Sequence, residues 1–353
     1  MDIAPLDRAD LRTRVEKALA EFLARQRDRL VAIEPALIPV AEAIEDFVLG
    51  AGKRLRPAFA YWGYRGAGGT DSPELVAAVA ALEFVQASAL IHDDVMDDSD
   101  TRRGEPAVHR RFAALHRGSD WIGEPDAFGQ AAAILLGDLT LVWSDELLHS
   151  SGLDPAVVAR ARPVFDEMRT EVTAGQYLDV LGQATADSTM RWAQMVARYK
   201  SAKYTIERPL LFGAALAGAG PRFARAYSRY GLPLGEAFQL RDDLLGVYGD
   251  PARTGKPAGD DLREGKRTYL VAAALEAADP AQRTVIETGL GHPEVDVDAL
   301  RAVFVATGAR ERTEQRITEL TTEAVAALDS VDLPDEPKAV LTELAGAATR
   351  RSR

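Results

Sequence analysis

The hydrophobic pattern along this chain is that of helices. From Leu11 to Leu49, apolar residues recur at three- and four-residue spacing with charged residues between them. This period predicts amphipathic helices interrupted near Pro35 and Pro39. No strand-like alternation occurs in that stretch, so we expect an all-α fold.

The rest of the chain continues the helical pattern. Pro73 to Ile91 is apolar nearly all round, which predicts a buried helix. Gly, Ser, Asp and Pro residues between His116 and Gln130 predict a surface loop. The other predicted helical stretches are Gln130 to His149, Pro163 to Leu181, Arg191 to Ala217, and Tyr269 to Arg353, the last with loops near 289–297 and 329–337.

Composition narrows the possible classes of protein. A chain of 353 residues with 47% hydrophobic content can bury one large core, so we expect residues 1–353 to form a single domain. The formal net charge of −12 argues against non-specific nucleic-acid binding. Cysteine is absent, which excludes disulfides and thiolate metal sites and is compatible with a reducing compartment.

We expect a cytoplasmic protein without a transmembrane segment. The first residues, MDIAPLDRADLRTR, lack the charged-then-apolar pattern of a signal peptide. The most apolar stretches, Leu75 to Ile91 and Pro209 to Gly220, are too short or are interrupted by Glu83 and Gln86.

The densest chemical signal is IHDDVMDDSDTRR, from Ile91 to Arg103. On a helix, Asp93 and Asp97 lie on one face, with Asp94 in the adjacent row. Crowded carboxylates destabilise a helix end unless cations neutralise them, and an all-oxygen ligand set suits Mg²⁺. The alternative is a solvated acidic helix end.

A second acidic site is predicted at the end of another apolar helix. Asp242 and Asp243 close the run FQLRDD, and Lys256 and Lys266 follow in a Gly- and Pro-rich loop. This arrangement mirrors the first site. The two helix ends could therefore face each other across a cavity, each binding metal to one diphosphate.

Basic residues supply candidate anion sites. Arg102 and Arg103 follow the first acidic cluster, and two guanidinium groups there suit diphosphate oxygens. The loop GAGKRLRP, from Gly50 to Pro57, is a second candidate; a solvated loop is the alternative. Lys200 and Lys203 lie in an apolar helix, where either a diphosphate partner or snorkelling to solvent would satisfy them.

Taken in order, GKRLRP (Gly52 to Pro57), DDVMD (Asp93 to Asp97) with two following arginines, and FQLRDD (Phe238 to Asp243) with TGK and EGKRT resemble the trans-isoprenyl diphosphate synthase family. The match runs from about residue 50 to 270 and is most like bacterial geranylgeranyl diphosphate synthases. The resemblance implies one all-α domain of antiparallel helices around a deep central cavity, normally in a homodimer.

The resemblance also implies a Mg²⁺-dependent reaction with about three ions per active site. An allylic diphosphate condenses head-to-tail (1'-4) with isopentenyl diphosphate and releases pyrophosphate. The implied metal residues are Asp93, Asp94, Asp97, Asp242 and Asp243. Those implied for the allylic diphosphate are Arg102, Lys200, Lys256 and Lys266, and those for isopentenyl diphosphate are Lys53, Arg56, Gln86 and Arg103. Ser201 and Gln239, with Lys200, are implied to be catalytic, with polar groups facing the carbocation.

Two positions depart from the family pattern. Gln86 stands where many members have histidine; an amide can hydrogen-bond a diphosphate but adds no charge, so we expect weaker binding there. Gly246 stands where many members have a third aspartate. A third metal must then rely on Asp242, Asp243, water, or a later carboxylate such as Asp250 or Asp261.

Product length is expected to depend on Ser88 and Ala89, at positions where the family's C15 enzymes carry aromatics. Small residues there should admit at least one further isoprene unit, because a helical turn rises about 5.4 Å. A floor could come from Phe84, Trp143 or Tyr177. We therefore expect geranylgeranyl diphosphate (C20), with a C15 or longer product as alternatives.

Three other classes share some of these features. A class I terpene cyclase also uses DDxxD, but has no need of GKRLRP for a second diphosphate. A helical di-iron protein requires two Glu-x-x-His pairs, and this chain has only Glu146 with His149. A non-enzymatic regulatory subunit of a heteromeric synthase would typically lose an aspartate cluster, and Gly246 is the one feature in its favour.

Overall fold

The computed structural model describes residues 8–50, 52–250, 259–292 and 294–350, and these are almost entirely helical. Two compact units account for the chain. The N-terminal unit comprises Leu6–Tyr61 and Gly69–Arg160, and the C-terminal unit comprises Trp62–Gly68 and Ala161–Arg353, each within its described part. The all-α fold is confirmed. A single domain around a deep cavity stays a prediction.

The N-terminal unit carries the first acidic motif. Its helices are α1 (Leu11–Ile33), α2 (Ile38–Leu49), α4 (Pro73–Met96), α5 (Val108–Gly118) and α6 (Pro125–His149). A 3₁₀ turn, Pro35–Leu37, precedes α2. Two helices contribute to both units, α3 (Leu55–Gly66) and α7 (Pro155–Thr185). Two short antiparallel strands, β1 (Thr101–Arg102) and β2 (Glu105–Pro106), follow α4.

The C-terminal unit carries the second acidic motif. Its first elements are α8 (Met190–Val196), a π-helical segment (Ala197–Glu207), α9 (Arg208–Leu216) and α10 (Pro221–Tyr248). The described part then continues with α11 (Asp260–Arg263), α12 (Tyr269–Ala277), α13 (Pro280–Gly289), α14 (Val297–Ala306), α15 (Ala309–Ala327) and α16 (Asp335–Thr349). Helix α10 packs against the π-helical segment and α15.

Helix α4 is the buried centre of the N-terminal unit. It begins at Ser72, whose hydroxyl accepts from the backbone N–H of Leu75, with Pro73 in the first turn. Alanines and branched apolar residues fill the following turns, and the helix packs on α1 and α6. The last turn carries Asp93 and Asp94. Burial of an apolar helix thus brings two carboxylates to the edge of the core.

The predicted start of α6 was wrong. The surface loop expected between His116 and Gln130 is confined to residues 119–124, because α5 continues to Gly118 and α6 begins at Pro125. Proline suits the first turn of a helix, so its presence there started the helix instead of marking a loop. The predicted interruption near Pro35 and Pro39 is confirmed, since α1 ends at Ile33 and α2 begins at Ile38.

Among the described residues, two helices are long and apolar enough to span a membrane by length and composition, α4 and α6. The length argument made from the sequence was therefore wrong for α4, which runs on to Met96. In α4, 72% of the apolar window is buried inside the protein, as in the core helix of a globular fold. In α6 only 39% is buried, and Leu135 and Val142 are exposed.

Candidate active site

The first acidic motif lies at the C-terminal end of α4 in the N-terminal unit. Asp94 is fully buried and the side chain of Asp93 is 14% exposed. Asp97 closes the helix, its backbone N–H donating to the carbonyl of Asp93 at 2.8 Å. Arg102 Nε donates to Asp94 Oδ1 at 2.8 Å, and its Nη2 donates to Asp93 Oδ2 at 3.3 Å.

These aspartates shift the pKa of Arg102. Burial acts to lower the pKa of Arg102, but the hydrogen bond to Asp94 and the charges of Asp94, Asp93 and Asp97 outweigh it, and the pKa is raised. One guanidinium therefore sits in the field of three carboxylates. The remaining negative charge is what would attract cations to this helix end.

A tight hairpin separates the two arginines that follow the motif. Thr101 pairs with Pro106 and Arg102 with Glu105, leaving Arg103 and Gly104 at the turn with φ of 58° and 86°. Two positive φ values are typical of a type I′ turn. Arg102 contacts the aspartates, whereas Arg103 Nη1 donates to the carbonyl of Phe47 at 3.4 Å. The two neighbouring arginines thus contact different partners.

Arg103 lies among other cations. Burial lowers the pKa of Arg103, and the charges of Arg54, Arg102 and Arg56 lower it further, while Glu83 opposes them. Its guanidinium stands over the Phe47 ring at 5.7 Å. Of these arginines, Arg54 and Arg102 are paired with carboxylates. The charge of Arg56 reaches Arg103, as the prediction that both bind isopentenyl diphosphate requires.

The GKRLRP loop divides its cations between surface and core. Lys53 is exposed and Arg56 is half-buried in the first turn of α3. Arg54 is 4% exposed and donates from Nη1 to Glu83 Oε2 at 2.7 Å. Gln86 follows Glu83 by three positions on α4 and is half-buried. The sequence grouped Arg54 with the anion-binding candidates, but its charge is already paired.

The second acidic motif lies in the last two turns of α10, in the C-terminal unit. The prediction that Asp242 and Asp243 end their helix was wrong, because α10 continues to Tyr248. Asp243 is 5% exposed and accepts a hydrogen bond from Gln239 Nε2 at 2.7 Å. Burial, followed by the charges of Asp261, Asp242 and Asp179, raises the pKa of Asp243 to about 8, against the opposing effect of the Gln239 hydrogen bond. Asp242 is half-buried beside it.

Asp261 lies against the position where the motif lacks its third aspartate. A Cβ added at Gly246 would overlap Asp261 Oδ2. The Gly259 backbone N–H donates to the Gly246 carbonyl at 3.0 Å, which holds the start of α11 beside α10. Lys266 Nζ lies 3.4 Å from Asp261 Oδ1 and also pairs with Glu264. Asp250, the other candidate replacement, is exposed.

Lys200 and Ser201 lie in the π-helical segment. Lys200 Nζ donates to Asp179 Oδ2 at 2.6 Å, and Lys203 pairs with Glu171. A Cβ added at Gly175 would overlap the Lys200 backbone N–H, so glycine permits α7 to approach this segment closely. The buried partner expected for these lysines is thus a carboxylate on α7. Lys256 lies outside the described residues.

The residues present suit Mg²⁺ that is bound partly by water and substrate, and not a metal ion enclosed entirely by protein ligands. Among the described residues, no group of three or more His, Asp or Glu side chains is already arranged to hold a metal ion. Mg²⁺ is commonly bound through one or two carboxylates, with waters and substrate phosphates completing its shell. The oxygen-only donors at both helix ends match that mode.

The candidate chain-length residues lie one turn before the first motif. Ser88 is 4% exposed and Ala89 is half-buried. Phe84 lies one turn further from the aspartates, fully buried, with its ring 5.2 Å from Phe22 and 6.1 Å from Trp143. Tyr177, also considered as a floor, is 66% exposed in this chain.

Sequence reasoning missed three carboxylates that organise these sites. Asp179 holds Lys200, Glu171 holds Lys203, and Glu83 holds Arg54. Asp179 lies in the run GQYLD, whose pattern alone indicates no role for it. A signal existed for Glu83, since a lone glutamate in an apolar helix needs a buried partner. That partner could not be named before the fold was known.

Comparisons with known proteins agree with this arrangement. The family model for polyprenyl synthetase matches residues 39–306. A short chain isoprenyl diphosphate synthase of Methanothermobacter thermautotrophicus is 33% identical over 290 residues, which cover 81% of this chain and 82% of that protein. An octaprenyl diphosphate synthase of Escherichia coli is 32% identical over 309 residues, covering 87% and 88% respectively.

A similar solved structure is that of a geranylgeranyl pyrophosphate synthase from Corynebacterium glutamicum, complexed with isoprenyl diphosphate and magnesium. It superposes with a TM-score of 0.93 at 44% identity, covering 99% of this chain and 100% of that chain. With its helical fold, its ordered aspartate and arginine motifs and these relatives, this chain belongs to the polyprenyl synthetase family.

Proposed function

We propose that this chain is a prenyl diphosphate synthase that condenses isopentenyl diphosphate with allylic diphosphates and makes geranylgeranyl diphosphate. The observation that supports the reaction class is that the chain carries two aspartate motifs on helices, one in each unit, and also a separate set of basic residues near Arg103. A condensation of two diphosphates needs both features. A class I terpene cyclase, which binds one diphosphate, does not.

The chain's own residues would act on the leaving diphosphate. Breaking an allylic C–O bond leaves a carbocation and an anion, so donors aimed at the anion lower the barrier. Mg²⁺ ions held by Asp93 and Asp97 at the first motif and by Asp242 at the second, with Asp94 and Asp243 next to them in the chain, would supply further positive charge. Arg102 now donates to Asp94. Once cations neutralise the aspartates, its guanidinium can donate to a diphosphate oxygen.

Lys200 and Lys266 complete the proposed clamp on the allylic diphosphate, and each is held near the second motif by a carboxylate. Gln239 donates its amide N–H to Asp243, which leaves its amide oxygen for the carbocation. The Ser201 hydroxyl, next to Lys200, would offer a second neutral oxygen. Neutral oxygens suit a cation because they stabilise it without trapping it covalently.

The direct test is synthesis by the purified protein. We expect incubation with Mg²⁺, isopentenyl diphosphate and C5, C10 or C15 allylic diphosphates to yield a C20 diphosphate by mass spectrometry. Asp93→Asn is the matched inactive control, because it removes one carboxylate charge at nearly constant size. No product from any primer would reject the synthase and favour the regulatory-subunit alternative, which Gly246 alone supports.

Asp261 is our proposed replacement for the third aspartate of the second motif. Its carboxylate occupies the space beside α10 where a side chain at position 246 would begin. It also contributes to the raised pKa of Asp243, so the two carboxylates share one electrostatic environment. We therefore assign Asp261, and not the exposed Asp250, to the second metal site.

Moving the carboxylate from position 261 to position 246 tests this assignment. Asp261→Ala should weaken Mg²⁺-dependent binding of inorganic pyrophosphate about tenfold, the scale typical of losing one supporting group at a metal site. Calorimetric titration measures that binding without turnover. Adding Gly246→Asp to Asp261→Ala should restore it, since the carboxylate returns to the vacated space. Asp250→Ala should match wild type; a loss there equal to that of Asp261→Ala would refute the assignment.

The proposed C20 product rests on how far before the aspartates the first bulky side chain occurs along α4. Ser88 and Ala89 are small, and Phe84 stands one turn below Ser88 because residues four apart lie on the same helix face. Packing against Phe22 and Trp143 fixes the Phe84 ring. The floor is then about one helical turn, roughly 5.4 Å or one isoprene unit, deeper than an aromatic residue at position 88 would set.

Substitutions on this face should change product length in opposite directions. Ser88→Phe should shorten the product to C15, and Phe84→Leu should extend it by about one isoprene unit, a helical turn of roughly 5.4 Å. Product sizing by mass spectrometry reads this independently of overall rate. Phe112→Leu, at a buried ring on α5, is the control for lost packing. An unchanged C20 product in both test variants would place the growing chain elsewhere.

We also propose a homodimer in the cytoplasm. Phe128, Leu135 and Val142 recur every seven residues on α6 and are 37%, 66% and 62% exposed. Such a stripe is costly to leave in water, and a second copy of the helix would cover it. The family resemblance implies a homodimer. The absence of cysteine is compatible with a reducing cytoplasm.

A charge on this stripe should separate the subunits. We expect wild type to sediment as a dimer in analytical ultracentrifugation and Leu135→Glu to sediment as a monomer with unchanged helical circular dichroism. Val305→Glu alters an exposed valine of the C-terminal unit (48% exposed) and should remain dimeric. A dimer that survives Leu135→Glu would mean that the interface lies elsewhere.

A further inference from the structure

Arg54 is buried, although it lies in the middle of a basic loop. Its side chain is 4% exposed, although the flanking Lys53 is exposed. Its backbone has φ of 51°, a left-handed conformation that costs a non-glycine residue free energy. Arg54 Nη2 also donates to the Gly50 carbonyl at 3.3 Å. The loop therefore turns its second cation inward, against local preference.

Glu83 is what holds Arg54 there. It is 7% exposed within the apolar helix α4, and its Oε2 accepts from Arg54 Nη1 at 2.7 Å. Burying a guanidinium and a carboxylate is unfavourable unless they pair, and removing one partner leaves an uncompensated buried charge. The second carboxylate near Arg54, Glu16, is 3.7 Å away and 35% exposed, so solvent screens it.

The pair connects the elements that carry the proposed isopentenyl diphosphate residues. Arg54 stands between Lys53 and Arg56 in the chain, and Glu83 lies one turn from Gln86 on α4. The charge of Glu83 also reaches Arg103, where it opposes the effect of three arginines. Because Glu83 cancels the charge of Arg54, the pair adds little attraction for an anion. What it supplies is a fixed spacing between the loop and the helix.

We infer that Glu83 is a positioning residue for the isopentenyl diphosphate site, which acts through its buried ion pair with Arg54 to hold Lys53 and Arg56 opposite Gln86 and Arg103. This inference rests on the proposed function. It assigns Glu83 to one substrate only. Within the part of the chain that the structure describes, Arg54 contacts Glu83, Glu16 and the Gly50 carbonyl, none of which is proposed to bind the allylic diphosphate.

Glu83→Gln tests the inference at nearly constant shape. We expect the KM for isopentenyl diphosphate to rise about ten- to hundredfold, the loss typical of a displaced binding group, with the KM for the allylic diphosphate within about twofold of wild type. Calorimetric binding of isopentenyl diphosphate alone should weaken in parallel. Glu16→Gln removes the exposed neighbour of Arg54 and should leave both constants unchanged.

A second variant guards against simple unfolding. Replacing both partners, as Arg54→Met with Glu83→Met, removes the buried charges together and should preserve the thermal midpoint better than Glu83→Gln does. It should still raise the KM for isopentenyl diphosphate, because the loop is no longer tied to α4. An unchanged KM in the folded double variant, or an equal rise for both substrates, would overturn the positioning role. Wild type without synthase activity would instead reject the proposed function.

Discussion

Like charges crowded in the last turns of two helices are the constraint on which this structure depends. The packing of α4 and α10 places Asp93 and Asp94 in the last turn of one helix, and Asp242 and Asp243 in the last two turns of the other. Repulsion between these carboxylates opposes folding unless positive charge is close. Arg102 supplies it at the first motif. At the second, the pKa of Asp243 is raised to about 8, so a proton can take the same role.

This arrangement makes each acidic site responsive to what binds. A guanidinium or a proton that neutralises a carboxylate can be displaced by a divalent cation, and the displaced group then becomes available. In the proposed function, Arg102 would then donate to a diphosphate oxygen in place of Asp94. Charge that stabilises the fold without ligand would thus become charge that binds ligand.

Backbone conformation determines which partner each basic side chain meets. Two positive φ values at Arg103 and Gly104 make the hairpin that aims Arg102 and Arg103 at different partners. A third positive φ, at Arg54, turns that side chain into the core while Lys53 remains exposed. The left-handed backbone strains Arg103 and Arg54, and their contacts must offset that cost, whereas Gly104 adopts it without strain. Local backbone conformation therefore decides which of several similar cations meets solvent, a carboxylate or substrate.

The sequence by itself determined the all-α class, most helix positions and the motif residues, because apolar periodicity and clustered aspartates are local features. The helix predicted to begin at Gln130 begins at Pro125 as α6, since a proline that begins a helix resembles a loop signal. Only the tertiary structure decided which partners meet: Glu83 with Arg54, Asp179 with Lys200, and Asp261 against Gly246. The physical reason is that such contacts join residues far apart in the chain, whose packing no spacing rule encodes.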